Sequence, residues 1–152
     1  MKQLITKSAL WLGVALMSGG GVAWAATAEE AVALVKEAAQ LVKKEGKEKA
    51  FAEISNPNGR FVKGELYVVA TTLDGVVLAH GGNAKMIGKS LLEIKDMDGK
   101  YFVKEQVSVA KGKGSGWVDF RWPHPVTKVI EPKTAYVEKV DDFLLASGIY
   151  KK

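Results

Sequence analysis

Apolar positions keep a helical period in the first part of the chain and a strand period later, and the switch falls near residue 60. Ala31, Leu34, Val35, Ala38, Leu41 and Val42 stand at i, i+3, i+4, i+7, i+10 and i+11, one apolar stripe on a long amphipathic helix. Thr27-Ala-Glu-Glu30 opens that helix in the form of a capping box, and Gly46 closes it. Lys47 to Ile54 reads as a second, short helix ended by the turn-rich Ser55-Asn-Pro-Asn-Gly59. β-Branched and aromatic residues then take over, with strands at 65–72 and 76–80 around a Leu73-Asp74-Gly75 turn. Residues 85–98 read as a loop with one helical turn at Ser90–Ile94, and Gly99–Ala110 as a third helix with Phe102, Val103, Val107 and Ala110 on one face. A flexible basic hinge, Lys111–Gly116, leads to strands at Trp117–Trp122, Lys133–Val140 and Phe143–Tyr150. This order predicts an α+β domain: one antiparallel sheet with its helices on one side.

The N-terminal stretch fits neither period. Lys2 and Lys7 precede the apolar run Ser8–Met17, followed by Gly19-Gly20-Gly21 and the small-residue tripeptide Ala23-Trp24-Ala25. A positive start, a short greasy middle and an A-x-A end define a secretory signal peptide, cut between Ala25 and Ala26. An uncleaved anchor over Leu4–Ala25 is the alternative; the three glycines, and a greasy middle well short of the roughly 20 residues that span a bilayer, count against it. On this reading residues 1–25 are leader and 26–152 a single working domain in the periplasm, away from ATP, NAD and nucleic acid. No second apolar stretch of membrane length follows, so the expected protein carries no membrane or output module of its own.

Composition narrows the chemistry. The chain has no Cys, so burial alone must hold the fold, and thiolate chemistry and a lipid-modified cysteine are excluded. Its net charge is +5, and the lysines alternate with acids in Lys43-Lys44-Glu45-Gly46-Lys47-Glu48-Lys49, a solvated helix face and not a nucleic-acid stripe. No catalytic or phosphate-binding motif is present, and His80 and His124 are the only histidines. Asp96-Met-Asp98-Gly99 lacks the spaced Glu of a calcium loop and reads as a turn. No metal, cofactor or enzymatic activity is expected.

What stands out is polar residues set into apolar strands. Alternation puts Val76, Leu78 and His80 on one face, Tyr67 with Val69, and Trp117 with Asp119 and Arg121, while Phe120 and Trp122 point the other way. Lys133 and Tyr136 enter the fourth strand just after a proline. One His, one Lys, two Tyr and a Trp or Arg converging on a sheet would build a small anion pocket, rings excluding water and cations pairing with a carboxylate. Each residue also has a plainer reading. His80 could be a satisfied core histidine, Tyr67, Tyr136 and Trp117 core aromatics, Lys133 a solvent lysine, Asp119 and Arg121 an exposed pair, and His124 a surface-loop residue.

The ordered set Gly59-Arg-Phe61, Gly64-Glu-Leu-Tyr67, Asp74-Gly75-Val-Val-Leu-Ala-His80-Gly81, Ile87-Gly88-Lys89, Lys95-Asp96-x-Asp98-Gly99-Lys100, Gly116-Trp117-Val, Pro132-Lys133-x-x-Tyr136-Val and Ser147-Gly148-Ile149-Tyr150 resembles a single Cache domain of the second type. The resemblance spans nearly all of residues 26–152. It implies a PAS-like fold, a long N-terminal helix packed on a five- to six-stranded antiparallel sheet, in an extracytoplasmic sensor for small organic acids such as pyruvate, acetate or propionate. Carried over by position, it implies a ligand pocket of Tyr67, His80, Trp117, Lys133 and Tyr136, with Lys133 as the carboxylate partner. Phe120 stands where many relatives carry a Tyr.

Two expectations follow. In the first, a short carboxylate pairs with Lys133 and hydrogen-bonds His80 and a Tyr hydroxyl. Its carbon end packs on Trp117 and Phe120, the loops Gly81–Gly88 and Lys111–Gly116 become ordered, and a membrane receptor or kinase reads the state. In the second, the domain is an interaction module that docks, or forms a homodimer, through the helix at 28–46.

Overall fold

The structure is a computed structural model and describes residues 25–151; apart from Ala25, the expected leader lies outside the described residues. Helix α1, Ala28–Glu45, begins with the capping box foreseen: the Glu30 amide donates to Thr27 Oγ1 at 3.2 Å and the Thr27 amide to Glu30 Oε2 at 2.7 Å. A cap of this kind contributes about 1 kcal/mol. Each Leu or Val buried along the α1 stripe contributes about 1.5–3 kcal/mol, so packing outweighs capping in holding the helix. All six stripe residues are buried. Gly46, at φ 87°, turns the chain into α2, Lys47–Ile54.

The sheet has six strands: β1, Val62–Lys63; β2, Leu66–Thr72; β3, Val77–His80; β4, Ser115–Pro123; β5, Ile130–Val140; and β6, Phe143–Tyr150. The main order is β3-β2-β6-β5-β4, all antiparallel, and β1 forms a small hairpin with the start of β2. Chain ends and chain middle thus interleave, and β6 lies at the centre, where its Leu144 and Leu145 are fully buried.

Helices cover both faces, which corrects the one-sided arrangement expected from sequence. On one face α1 and α2 pack on Leu66, Val68, Ala70, Tyr136, Phe143 and Leu145. On the other, α3, Phe102–Gly112, and the preceding loop pack on Val77, Val118, Phe120, Ala135, Val137, Leu144 and Ala146. Strands apolar on both sides need two covers, which is why β6 reads as a continuous apolar run.

Other local expectations shift. The helical turn in the long loop is a 3-10 turn at Ala84–Met86, and α3 runs later than expected, to Gly112. Lys111 and Gly112 therefore close a helix, Ser115 opens β4, and the foreseen hinge shrinks to a tight turn at Gly114, φ 82°. Asp96 anchors the long loop: one carboxylate oxygen accepts from the amides of Asp98 and Lys100, the other from the Arg121 amide on β4. That carboxylate serves the turn, as the sequence reading held.

Candidate functional site

On the α3 face, at the start of β2 and the end of β6, the packing leaves a hollow of about 50 Å³. A water needs roughly 10–15 Å³ of such space, so the hollow takes about four non-hydrogen atoms. Tyr67, Val69 and Thr71 of β2 and His80 of β3 form one side, and Lys133, Ala135 and Phe120 the floor. Phe102, Val103 and Gln106 of α3, with Leu91, form the roof. Phe102 stacks on Phe120 with ring centroids 4.5 Å apart and an interplanar angle of 4°, and lies 5.1 Å from Trp122. That end is apolar.

The opposite end is cationic. Lys133 stands on β5 between Phe120 and Tyr150 in the strand register, and is 4% exposed. Its Nζ donates to Tyr67 Oη at 3.0 Å, lies 3.5 Å from Tyr150 Oη, and sits over both rings at 4.1 and 4.8 Å from their centroids. Among the described residues no carboxylate pairs with it. Ring faces and hydroxyl oxygens offset part of the several kcal/mol that desolvating an ammonium costs, and an anion would offset much more.

Gly148 makes this placement possible. A Cβ there would lie 2.6 Å from the Thr134 carbonyl oxygen and 2.8 Å from Lys133 Cε, so the lysine crosses β6 in a trench only glycine leaves open. Burial, and the neighbouring Tyr67, push the Tyr150 phenol above its ordinary range. It stays protonated and donates to the Pro123 carbonyl at 2.8 Å, which leaves its oxygen turned to Lys133.

His80 completes the polar end. Its ring stacks on Tyr67 at 5.1 Å, and its Nδ1 accepts from the amides of Gly82 at 3.1 Å and Asn83 at 2.9 Å. Gly82 approaches Tyr67 so closely that a Cβ would lie 3.0 Å from the ring, so two glycines in succession bring these amides into reach. Burial, and then the charge of Lys133, lower the His80 pKa to about 4. With Nδ1 occupied as an acceptor, the neutral ring carries its proton on Nε2. The Lys133 ammonium, the Tyr67 hydroxyl and the His80 Nε2–H are therefore three donors at one end of an apolar hollow. Among the described residues no group of three His, Asp or Glu side chains gathers to hold a metal ion.

Four of the six residues singled out in the sequence meet here: Tyr67, His80, Phe120 and Lys133. Trp117 and Tyr136 do not. They are cross-strand partners on the α1 face, 5.6 Å between centroids, with Trp117 41% exposed and the Tyr136 hydroxyl bonded to Glu138. Trp122 and Phe102 stand at the apolar end of the hollow, where Trp117 was expected. Lys111–Gly116 does not line the hollow, whereas Gly82 and Asn83 border an outer recess of about 180 Å³ that shares Tyr67, His80 and Trp122 with it. Asp119 pairs with Lys151 at 2.7 Å, not with Arg121. His124 is no loose surface residue: its ring lies 4.7 Å from Tyr150 and its Nε2 3.1 Å from Glu65 Oε2. Tyr150, Trp122 and Gly148 were missed. A glycine inside an apolar strand marks a close approach, and that signal stood in Ser147-Gly148-Ile149.

A hollow between a PAS-like sheet and an overlying helix, cationic at one end, is the plan of a small-ligand sensor. The chain belongs to the single Cache domain 2 family, whose model matches residues 17–151. The methyl-accepting chemotaxis protein McpP of Pseudomonas putida is 32% identical over 76 residues, 49% of this chain; the match takes up 14% of that receptor's length. A Cache chemosensory domain described for carboxylic acid recognition superposes with TM-score 0.71 at 27% identity, covering 82% of this chain and 92% of that one. A periplasmic sensor domain of a chemotaxis protein gives 0.66 at 26%, covering 82% and 90%. A methyl-accepting chemotaxis protein of Vibrio parahaemolyticus, at 24% identity and TM-score 0.69 over 80% and 86% of the two chains, shares the fold. Cache domains are extracytoplasmic ligand-binding sensors, and these relatives are sensor domains and not enzymes. Among the described residues no helix is long and apolar enough to cross a membrane.

Proposed function

We propose that this chain is a periplasmic sensor whose cavity binds a monocarboxylate of two to four carbons. The single observation that carries this is Lys133, an ammonium 4% exposed with no anionic partner among the described residues. The ligand carboxylate takes the free N–H of Lys133, the Tyr67 hydroxyl proton and the His80 Nε2–H, and its carbon end lies on Phe120, Phe102 and Trp122. Room for about four heavy atoms favours acetate or propionate over larger acids. The likeness to a Cache domain that recognises carboxylic acids supports the same reading. Residues 1–25 act as a leader removed on export, the working domain begins at Ala26, and a membrane receptor or sensor kinase is the partner that reads the bound state.

The reading in which α1 docks or dimerises has less behind it. The apolar stripe it would use is buried on the sheet, and the outward positions include Glu29, Lys36, Gln40 and Lys43.

Thermal shift against two- to four-carbon acids, each beside its amide and alcohol, tests the proposal. A ligand at about 100 times its Kd adds about 2.7 kcal/mol, which raises the melting temperature by several degrees. Acids should stabilise and their neutral counterparts should not. No stabilisation by any acid, or equal stabilisation by an amide, overturns it.

A further inference from the structure

Glu65 ends the hairpin turn into β2 and is mostly buried: its side chain and that of His124 are each 14% exposed. One carboxylate oxygen faces His124 Nε2 at 3.1 Å, and the other accepts from the backbone nitrogen of Ala26 at 3.0 Å. Ala26 is the residue that follows the A-x-A tripeptide Ala23-Trp24-Ala25. A recess of about 230 Å³ around it is lined by Glu30 and Glu37 of α1, Lys63 of β1, and Glu65. Three carboxylates stand against Lys63 and against Arg60, which reaches Glu37 at 3.5 Å, so the recess keeps a net negative charge beside the Ala26 nitrogen.

We infer that Glu65 is the receiving site for the chain's own α-ammonium, created when an export-associated endopeptidase hydrolyses the Ala25–Ala26 bond. In that step water adds across the peptide. Ala25 leaves as a carboxylate on the leader, and the Ala26 nitrogen gains protons to become an ammonium. The amide hydrogen bond to Glu65 thereby becomes an ion pair at the same nitrogen. A charge-assisted bond of this kind is roughly twice as strong as a neutral one, and maturation would lock the entry of α1 against the sheet. The same carboxylate holds His124, whose ring packs on Tyr150 beside Lys133, so the locked end adjoins the cavity. The inference rests on the leader reading above and not on the ligand.

The test starts from the full chain exported by a Gram-negative host. Its intact mass should correspond to a start at Ala26. Any other start overturns the inference together with the leader reading, and leaves the carboxylate reading untouched. Melting temperatures are then compared for chains beginning at Ala26 and at Ala23, each with and without Glu65→Gln. At pH 7 the substitution should lower the melting temperature by about 3–6 °C in the Ala26 chain and by less than half as much in the Ala23 chain, where residue 26 offers only an amide. The pair exists below the α-amine's titration and is lost as pH rises through it, so at pH 9.5 the two losses should become equal. Glu30, Glu37, Arg60, Lys63 and His124 are common to both chains and cancel in the comparison. Equal losses at pH 7 overturn the docking while the cleavage stands. If Glu65→Gln does not fold, the wild-type pair decides: the Ala26 chain should melt higher at pH 7 and not at pH 9.5, and equal melting at pH 7 overturns the docking.

Discussion

The two faces of the sheet carry the same trio of residue types with one member different. On the α1 face Lys36 reaches Glu138 Oε2 at 2.8 Å, the Tyr136 hydroxyl donates to the same oxygen at 2.8 Å, and the ammonium lies 5.9 Å from the Tyr136 ring centroid. On the α3 face Lys133 lies against Tyr67 and Tyr150 with no carboxylate among the described residues. The first set is closed by the protein and half in water; the second is buried and open. Solvent would forgive a missing partner at Lys36, but at Lys133 it cannot. On the proposed function, the absent third member on the buried side is what a ligand supplies.

Breaking the open set should produce the largest effect. Lys133→Met keeps the length and removes the charge. It should weaken binding of the stabilising acid at least about 100-fold by calorimetry, yet leave the melting temperature of the ligand-free protein equal or higher, since replacing an unpaired buried ion by an apolar isostere is neutral or stabilising. A lower ligand-free melting temperature would mean that the Tyr67 and Tyr150 hydroxyls and rings already compensate the burial of the ammonium.

The second effect is on pH. Folding holds the His80 pKa near 4 against an ordinary 6.5. Below pH 6.5 the unfolded chain takes up a proton that the folded chain refuses until about pH 4, so this contribution is complete above 6.5 and is lost as pH falls through that window. It amounts to about 3 kcal/mol. Urea unfolding at pH 7 and pH 4.5 should show most of that loss in the wild type and much less in His80→Gln.

Next comes Gly148→Ala, whose Cβ would press on Lys133 Cε and the Thr134 carbonyl. Overpacking of this kind costs about 1–3 kcal/mol, and the displaced ammonium should weaken acid binding about tenfold in the same calorimetry. The smallest effect belongs to the closed face. Tyr136→Phe loses one partly buried hydrogen bond to a carboxylate that keeps Lys36, should cost about 1 kcal/mol, and should leave acid affinity unchanged. A change in affinity there would erase the distinction between the faces.

Much of this was legible in the chain. The capping box, the α1 stripe and the β5–β6 hairpin follow from periodicity, and alternation rightly divided Trp117 from Phe120 and Trp122. What alternation could not say is which face would be hollow, because that depends on where α3 lands. The resemblance carried Trp117 and Tyr136 into the pocket although alternation already sets them opposite Phe120 and Lys133, and their strands turn them to α1. His80 reaches the cavity through a bulge: Thr71 pairs with Val77 but Ala70 with Ala79, so Leu78 is extra and His80 shares the cavity face with Val77, not with Leu78. A single unpaired residue shifts every later side chain to the other face, and nothing in a Val-Val-Leu-Ala-His run marks which residue it is.

The most direct test is a crystal structure with the acid that gives the largest thermal shift. The account predicts carboxylate density within hydrogen-bonding distance of Lys133 Nζ, Tyr67 Oη and His80 Nε2, with the carbon end on Phe102 and Phe120. An acid bound elsewhere, or a cavity holding only water while the acid stabilises the protein, would contradict it.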